Sequence, residues 1–483
     1  MTVFKNIFYI SLLLGGLVNN ACNGVGSGNT EKKDVNVSYS LLESPWEYAK
    51  GILDSIPEPL FKDADYNITD FGAINDGVTD CSKAINDAIK KCSEEGGGRV
   101  IVPEGTFLTG AVHLKNNVNL HISEKAELLF TKDKSKYLPA VHTRFEGMEL
   151  MNYSPLIYAY KQKNIAITGK GVINGQGEVW WNWKGKWSGS VEHSYDAAGR
   201  NTQQSDIGVL YKMVEENVPL ENRVFGEGHY LRPSFVQPYL CENVLIEGIK
   251  VIGSPMWIIH PVLSKNIIVR KLHIESLGPN NDGCDPECCE NVLIEDCYFN
   301  TGDDCIAIKS GRNNDGRRIG VPSKNIYVRN CTMVEGHGGV VMGSEISGNI
   351  SYVFAENCVM DSPNLERAIR IKSNSFRGGI VEHVYVRDIE VKQVKEAVLK
   401  INMYYSNEEG ENLPIARNIV LERVNAYKSE YPVWIESYKQ EPATNIILKN
   451  CDLKNIEKPN HIINAENIRF EDVKINGKVI KDL

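Results

Sequence analysis

The chain has 483 residues, 42% of them hydrophobic, enough for a large core in one long domain or in two or three smaller ones. Its formal charge of −9 leaves no overall basic field to displace counterions. That argues against a nucleic-acid partner and leaves only a local basic pocket for an anionic ligand.

The N-terminus reads as an export signal. Lys5 precedes an apolar run, Ile7 to Val18, too short to span a bilayer and about the length of a signal-peptide core. Asn20-Ala21-Cys22 and a glycine-rich stretch follow, so residues 1–21 are expected to be the signal and 22–60 a linker and lead-in. The segment resembles a bacterial lipoprotein signal with Cys22 acylated; plain secretion with cleavage nearby is the alternative. Either way the chain is expected to be exported, periplasmic or anchored to the outer membrane, with Cys22 as its one link to a membrane.

Residues 61–483 are expected to form a single domain. Its one clear amphipathic helix, Ser82 to Ser93, follows Asp80. From residue 240 onward an asparagine followed by alternating apolar residues recurs at Asn243, Asn266, Asn291, Asn325, Asn418 and Asn445, with a degenerate copy at Asn467. The first spacings, 23, 25 and 34 residues, fit a solenoid whose coils differ by loop insertions. The repeated runs are short, β-branched and bounded by Gly and Asn, with no helical period between them. An all-β fold follows, a single right-handed parallel β-helix in which stacked coils share one core. The helix after Asp80 would cap its open N-terminal end, covering unpaired strand edges.

Twelve cysteines in an exported chain could signal disulfides. However, Cys297, Cys331 and Cys451 each fall six residues after a repeat asparagine, which predicts a stacked column of small apolar side chains. Cys284, Cys288 and Cys289 lack a histidine at ligand spacing, so packing is expected there over zinc.

A second strand also aligns coil by coil: Ile306–Ser310, Val340–Ser344, Ile369–Ser373 and Val433–Ser437. Alternation sends Ile369 and Ile371 inward and puts Arg370 and Lys372 on the outer face. Asp282 precedes Asp304 by 22 residues, placing the two acids on adjacent coils about 4.7–4.9 Å apart. Asp303 joins them through the bend at Gly302, and His337 takes the equivalent turn one coil on. Adjacent aspartates in a solenoid are ordinarily turn residues bonding their own backbone. The coincidence of Asp282, Asp303, Asp304, His337, Arg370 and Lys372 on one column favours a catalytic cluster instead. Three crowded carboxylates cannot all ionise easily, so at least one pKa should rise.

Asn280-Asn281-Asp282, Gly302-Asp303-Asp304, Gly336-His337-Gly338 and Arg370-Ile371-Lys372 resemble the four signatures of glycoside hydrolase family 28, the polygalacturonases. Ser254–Val262 and Gly169–Trp181 are similar too, so the resemblance spans roughly residues 65 to 475; Asn281 stands where the family usually has threonine. The resemblance implies inverting hydrolysis of α-1,4 bonds between galacturonic acid units. Asp303 would then be the general acid, Asp282 and Asp304 would hold and deprotonate water, and His337 would tune the acid. Arg370 and Lys372 would bind the substrate carboxylate, with Asn280 also at the substrate. The expected partner is a pectic oligo- or polysaccharide, with no metal or cofactor.

Two insertions flank this column. Residues 182–231 carry Trp183, Trp187, Tyr195 and Tyr230, and residues 312–322 carry Arg312, Arg317 and Arg318. Aromatic faces and arginines suit sugar rings and carboxylates. With Gly336–Glu345, which resembles exo-acting members, they predict a walled pocket reading a chain end. An endo-acting or rhamnogalacturonan-type hydrolase is the alternative. A pectate lyase would need calcium and an arginine base, and a non-catalytic glycan-binding solenoid would have no reason to crowd acids.

Overall fold

A computed structural model describes residues 40–185 and 202–481. The signal segment, Cys22, Trp187 and Tyr195 lie outside the described residues. One corner of the structure is a ladder of asparagines. Asn243, Asn266, Asn291 and Asn325 sit at φ 58, 56, 59 and 59°, a left-handed conformation that asparagine tolerates. Each amide donates to the one before it: Asn266 Nδ2 to Asn243 Oδ1 at 3.0 Å, Asn291 to Asn266 at 3.2 Å, Asn325 to Asn291 at 2.9 Å. The ladder continues towards the N-terminus through Asn164 to Asn117. Between Asn325 and Asn418 the corner is held instead by Tyr352 and His383, also at positive φ, whose rings stack 4.9 Å apart with planes 4° from parallel. Ring stacking replaces amide bonding there, which is why the asparagine repeat lapses.

After each corner a strand pairs in parallel with the next coil, Glu242–Glu247 with Lys265–Arg270, then Glu290–Glu295, Ser323–Arg329 and Ile350–Glu356. Val244, Ile267, Val292, Ile326 and Val353 stack inside and are buried. The result is the expected right-handed parallel β-helix. Cys297, Cys331, Cys358 and Cys451 line its interior, and every described cysteine, Cys284, Cys288 and Cys289 included, is buried and free.

The structure adds further helices to the one expected. Helix α1, Pro45–Ser55, starts with proline at its first turn and lies within the expected lead-in. It covers an outward apolar column, Leu245, Ile268, Leu293, Tyr327, Phe354 and Tyr385, and Arg387 sits 3.8 Å over its Trp46 ring. Chain from Leu41 on therefore belongs to the same compact unit as the solenoid. Helix α2, Ser82–Glu94, is the expected cap; Asp80 accepts from the Ser82 N–H at 2.9 Å, and Ala84, Ile85, Ala88, Ile89 and Cys92 are buried against the first coil. Helix α3, Gln203–Glu215, and the short helix α4, Asn313–Ile319, lie inside the two insertions.

The sheet that carries the site has six parallel strands: β1 Ile306–Ile308, β2 Val340–Gly343, β3 Arg367–Lys372, β4 Ala397–Asn402, β5 Tyr431–Glu436 and β6 His461–Ile463. Strand β4 is a coil that the sequence alignment skipped, because Leu399–Met403 ends without the serine that marks its neighbours; Ile369 pairs with Leu399, and Leu399 with Val433. An antiparallel hairpin, Val141–Phe145 with Met148–Asn152, leans over this face.

Candidate active site

Coil register brings the acids together. The bridge from Cys284 to Ile306 and the pairing of Ile306 with Val340 set Asp282 beside Asp304 and Asp303 beside His337. The Gly283 N–H donates to Asp304 O at 2.9 Å, and the His337 N–H to Asp303 O at 3.1 Å. The bend before β1 needs glycine, since a Cβ on Gly302 would lie 2.1 Å from Gly278 O. On the coil below, the fully buried Asn281 staples its turn: its Oδ1 accepts from Ser276 Oγ at 2.6 Å and the Gly278 N–H at 3.0 Å, and its Nδ2 donates to Met256 O at 3.1 Å. An amide thus makes the turn bonds at the position where the resemblance to the family would place threonine. Carboxylate oxygens of Asp282, Asp303 and Asp304 all lie within 4.8 Å of one another. That spacing would suit a divalent cation; here Lys309, Lys372 and His337 stand beside the acids.

The acids differ in charge state because their partners differ. Burial alone would raise Asp303, but the charge and hydrogen bond of His337, with Lys372 and Lys309 behind, hold it well below the usual carboxylate range. His337 Nδ1 lies 2.9 Å from Asp303 Oδ1 and is pushed up to about 9 by that carboxylate. Asp282 moves the other way. Burial, with repulsion from Asp285, Asp303 and Asp304, pushes it well up. So one carboxyl rises as expected, and it is Asp282. Asp303 and His337 share a proton that rests on the histidine. Asp304, fully buried, accepts from Lys372 Nζ at 2.6 Å and has Arg370 Nη1 at 3.5 Å.

Sequence reasoning missed Lys309 and Asp285. The Lys309 ammonium is buried 3.4 Å from Asp282, Asp285 and Glu345 and 4.3 Å over the Trp257 ring. Burial pushes Asp285 up to about 8. Both were visible as signals: Lys309 shares its strand position with Lys372, separated by Gly343, and Asp285 falls three residues after Asp282 on the same rung.

Around the acids is a polar cleft of about 230 Å³ lined by Asn280, Trp257, Lys184, Glu146, Arg312, Glu345, Arg377 and Tyr405 among others. Asn280 is oriented by Arg232, whose Nη2 donates to its Oδ1 at 2.7 Å. Arg312 enters the cleft, 2.7 Å from Glu146 at the hairpin tip and 3.5 Å from Glu408. Arg317 and Arg318 do not. Helix α4 turns them away from the acids: Arg317 donates to the Phe376 and Arg377 carbonyls, and Arg318 pairs with Glu149 and Asp315 on the outside. Trp183 packs against Trp180, Tyr153 and Tyr230, so its faces are engaged inside the insertion. The hairpin is pinned by a fully buried network in which Arg144 Nη1 meets Glu287 at 2.6 Å and His260 Nε2 meets Glu287 at 2.9 Å.

Comparison with known proteins agrees with this geometry. The family model of glycosyl hydrolases family 28 matches residues 223–476, and one for rhamnogalacturonase A/epimerase, pectate lyase-like proteins matches residues 66–122. A probable polygalacturonase of Vitis vinifera is 30% identical over 403 residues, covering 80% of this chain and 74% of its own. The crystal structure of a hyperthermoactive exopolygalacturonase from Thermotoga maritima is 47% identical with a TM-score of 0.87, covering 91% of this chain and 98% of that one. The family 28 exopolygalacturonase of Yersinia enterocolitica is 26% identical with a TM-score of 0.70, covering 86% and 76%. On sequence and on fold alike, this chain belongs to glycosyl hydrolases family 28.

Proposed function

We propose that the chain hydrolyses α-1,4-galacturonosyl linkages of polygalacturonate from a chain end, with inversion, releasing galacturonic acid. One observation carries this: Asp282 and Asp303 line a small cleft with Asp304 buried beside them, five cations line the same cleft, and His337 sits on Asp303 with Lys372 and Arg370 on Asp304. An acidic sugar needs those cations inside a chain of net charge −9. A cleft of about 230 Å³, below the roughly 300–1,000 Å³ of drug-sized pockets, suits one sugar ring. The hairpin tip and Arg312 close its side.

In the reaction, water attacks the anomeric carbon and gives a proton to the Asp282/Asp304 pair. The glycosidic C–O bond breaks, and its oxygen takes the proton that Asp303 shares with His337. Lys309 and Lys372 counter the repulsion among acids that must approach one another to share one water. Inverting pairs ordinarily stand about 6.5–9.5 Å apart, but here three acids divide the work, so no single pair sets the gap. We further infer export, by signal cleavage or through a lipid on Cys22; among the described residues no helix is long and apolar enough to cross a membrane.

The test is a product profile on polygalacturonate with chelator present. Monomeric galacturonate from the earliest time points, slow loss of viscosity and an inverted anomer by NMR are expected. Mixed oligomers with rapid viscosity loss would overturn the exo reading, and unsaturated ultraviolet-absorbing ends would overturn hydrolysis.

A further inference from the structure

Five cations line the cleft: Lys184, Lys309, Arg312, Lys372 and Arg377. Four are matched by carboxylates. Lys309 has Asp282, Asp285 and Glu345, Arg312 has Glu146 and Glu408, Lys372 has Asp304, and Arg377 has Glu408 at 3.1 Å. Lys184 differs. Among the described residues no carboxylate lies within ion-pairing distance of its ammonium, although it is half-buried and faces the acids.

Its place is fixed from behind. Lys184 ends the turn Asn182–Lys184, which follows directly on the helical turn Glu178–Trp181. Trp181 Nε1 donates to Ser254 O at 2.8 Å, and the Trp183 ring lies 4.9 Å from Trp180 and 5.4 Å from Tyr230. Burial lowers the ammonium's pKa, while the charges of Glu146, Asp303 and Asp282 raise it in part and Arg232 opposes them. Lys184 shares the cleft wall with Glu146, Asp282 and Asp303, whereas Lys372 and Arg370 pair with Asp304. A half-buried ammonium without a counter-ion is an incomplete arrangement, and an arriving carboxylate completes it.

We propose that Lys184 binds the carboxylate of the sugar on the glycone side of the scissile bond, the sugar that is released. Two separate cation centres then read the two acidic sugars flanking the cut bond, Lys184 on one and Arg370 with Lys372 on the other. The proposal rests on the galacturonan reading above. It assigns to the 182–231 insertion a part in recognising charge at the chain end.

The test compares kcat/KM for trigalacturonate with that for the same oligomer methyl-esterified on its non-reducing terminal carboxyl. Wild type should prefer the free acid by roughly 10- to 100-fold, the range of one hydrogen-bonded charge contact. Lys184→Met should lose that preference by slowing on the acid alone, and Lys184→Arg should keep part of it. Thermal unfolding of Lys184→Met should be unchanged or shifted upward, because a charge without a partner is removed. If the variant keeps the wild-type ratio, or slows equally on both oligomers, Lys184 does not bind that carboxylate. Wild type releasing no galacturonate at all would overturn the parent reading instead.

Discussion

Replacing Lys372 with methionine separates two roles of one lysine. From its outer-face position in the sequence, Lys372 would serve substrate binding and matter little for stability. In the structure its ammonium donates to Asp304 Oδ2 at 2.6 Å, and the two residues are 5% and 0% exposed. Methionine keeps the bulk and leaves the Asp304 carboxylate with Arg370 Nη1, 3.5 Å away, as its nearest cation. Stripping one partner from a buried ion pair costs about 3–5 kcal/mol; with Arg370 in place, about 2–3 kcal/mol is expected. Unfolding entropy of about 2.1 cal/mol/K per residue converts that to a Tm decrease of about 3 °C for a chain this long. Calorimetry and kcat/KM on polygalacturonate would be measured for Lys372→Met, Asp304→Asn and the double variant. The double variant should recover most of the lost Tm, since neither charge remains, while activity stays down by roughly 10²-fold or more. A single variant that melts with wild type, or a double variant no more stable than the single, would refute the buried-pair reasoning.

Asp303→Asn removes the shared proton's outlet and should lower kcat by roughly 10²–10⁴-fold while lowering Tm by only about 1 °C through its lost His337 contact; near-normal turnover would end its assignment as the acid. His337, raised to about 9 by Asp303, contributes stability that is complete below its ordinary 6.5 and is lost as pH rises through about 9. Its ring is 48% exposed, so screening leaves about 1 kcal/mol. Denaturant melts of His337→Asn and wild type should differ by that amount near about pH 6 and converge near about pH 10; a gap that widens with pH contradicts the sign. Arg144→Met leaves Glu287 buried with His260 alone, so hydrogen exchange in Val141–Asn152 should quicken and kcat/KM should fall; unchanged protection would show that the Arg144–Glu287 pair does not hold the hairpin.

What the sequence displayed was whatever repeats with the coil. Asparagines at the left-handed corner recur because their amides bond one another from rung to rung, so the β-helix could be read from spacing alone. The acids and His337 were legible for the same reason, each at a fixed offset from a repeat. Where a different force served the same corner, the signal vanished: Tyr352 and His383 stack rather than hydrogen-bond, and β4 lost its terminal serine. Helix α4 was hidden by its brevity. Arg317 and Arg318 read as cleft arginines because adjacency in sequence was taken for adjacency in space, whereas a helical turn separates them from Arg312.

The electrostatic balance of the site was the least legible part, because it depends on pairs distant in sequence and close across rungs. Lys309 and Lys372 occupy one strand position two rungs apart, and the rung between carries Gly343. A Cβ at Gly343 would fall 2.1 Å from Lys372 O and 3.1 Å from Lys372 Cγ, so no side chain fits between the two lysines. The empty position lets the two ammonium groups flank the acids, Lys309 on Asp282 and Lys372 on Asp304. Burial and the neighbouring acids push Asp282 up and Lys309 offsets part of that rise, while Lys372 gives the buried Asp304 a direct partner. In a stacked coil a missing side chain can therefore matter as much to the chemistry as a charged one.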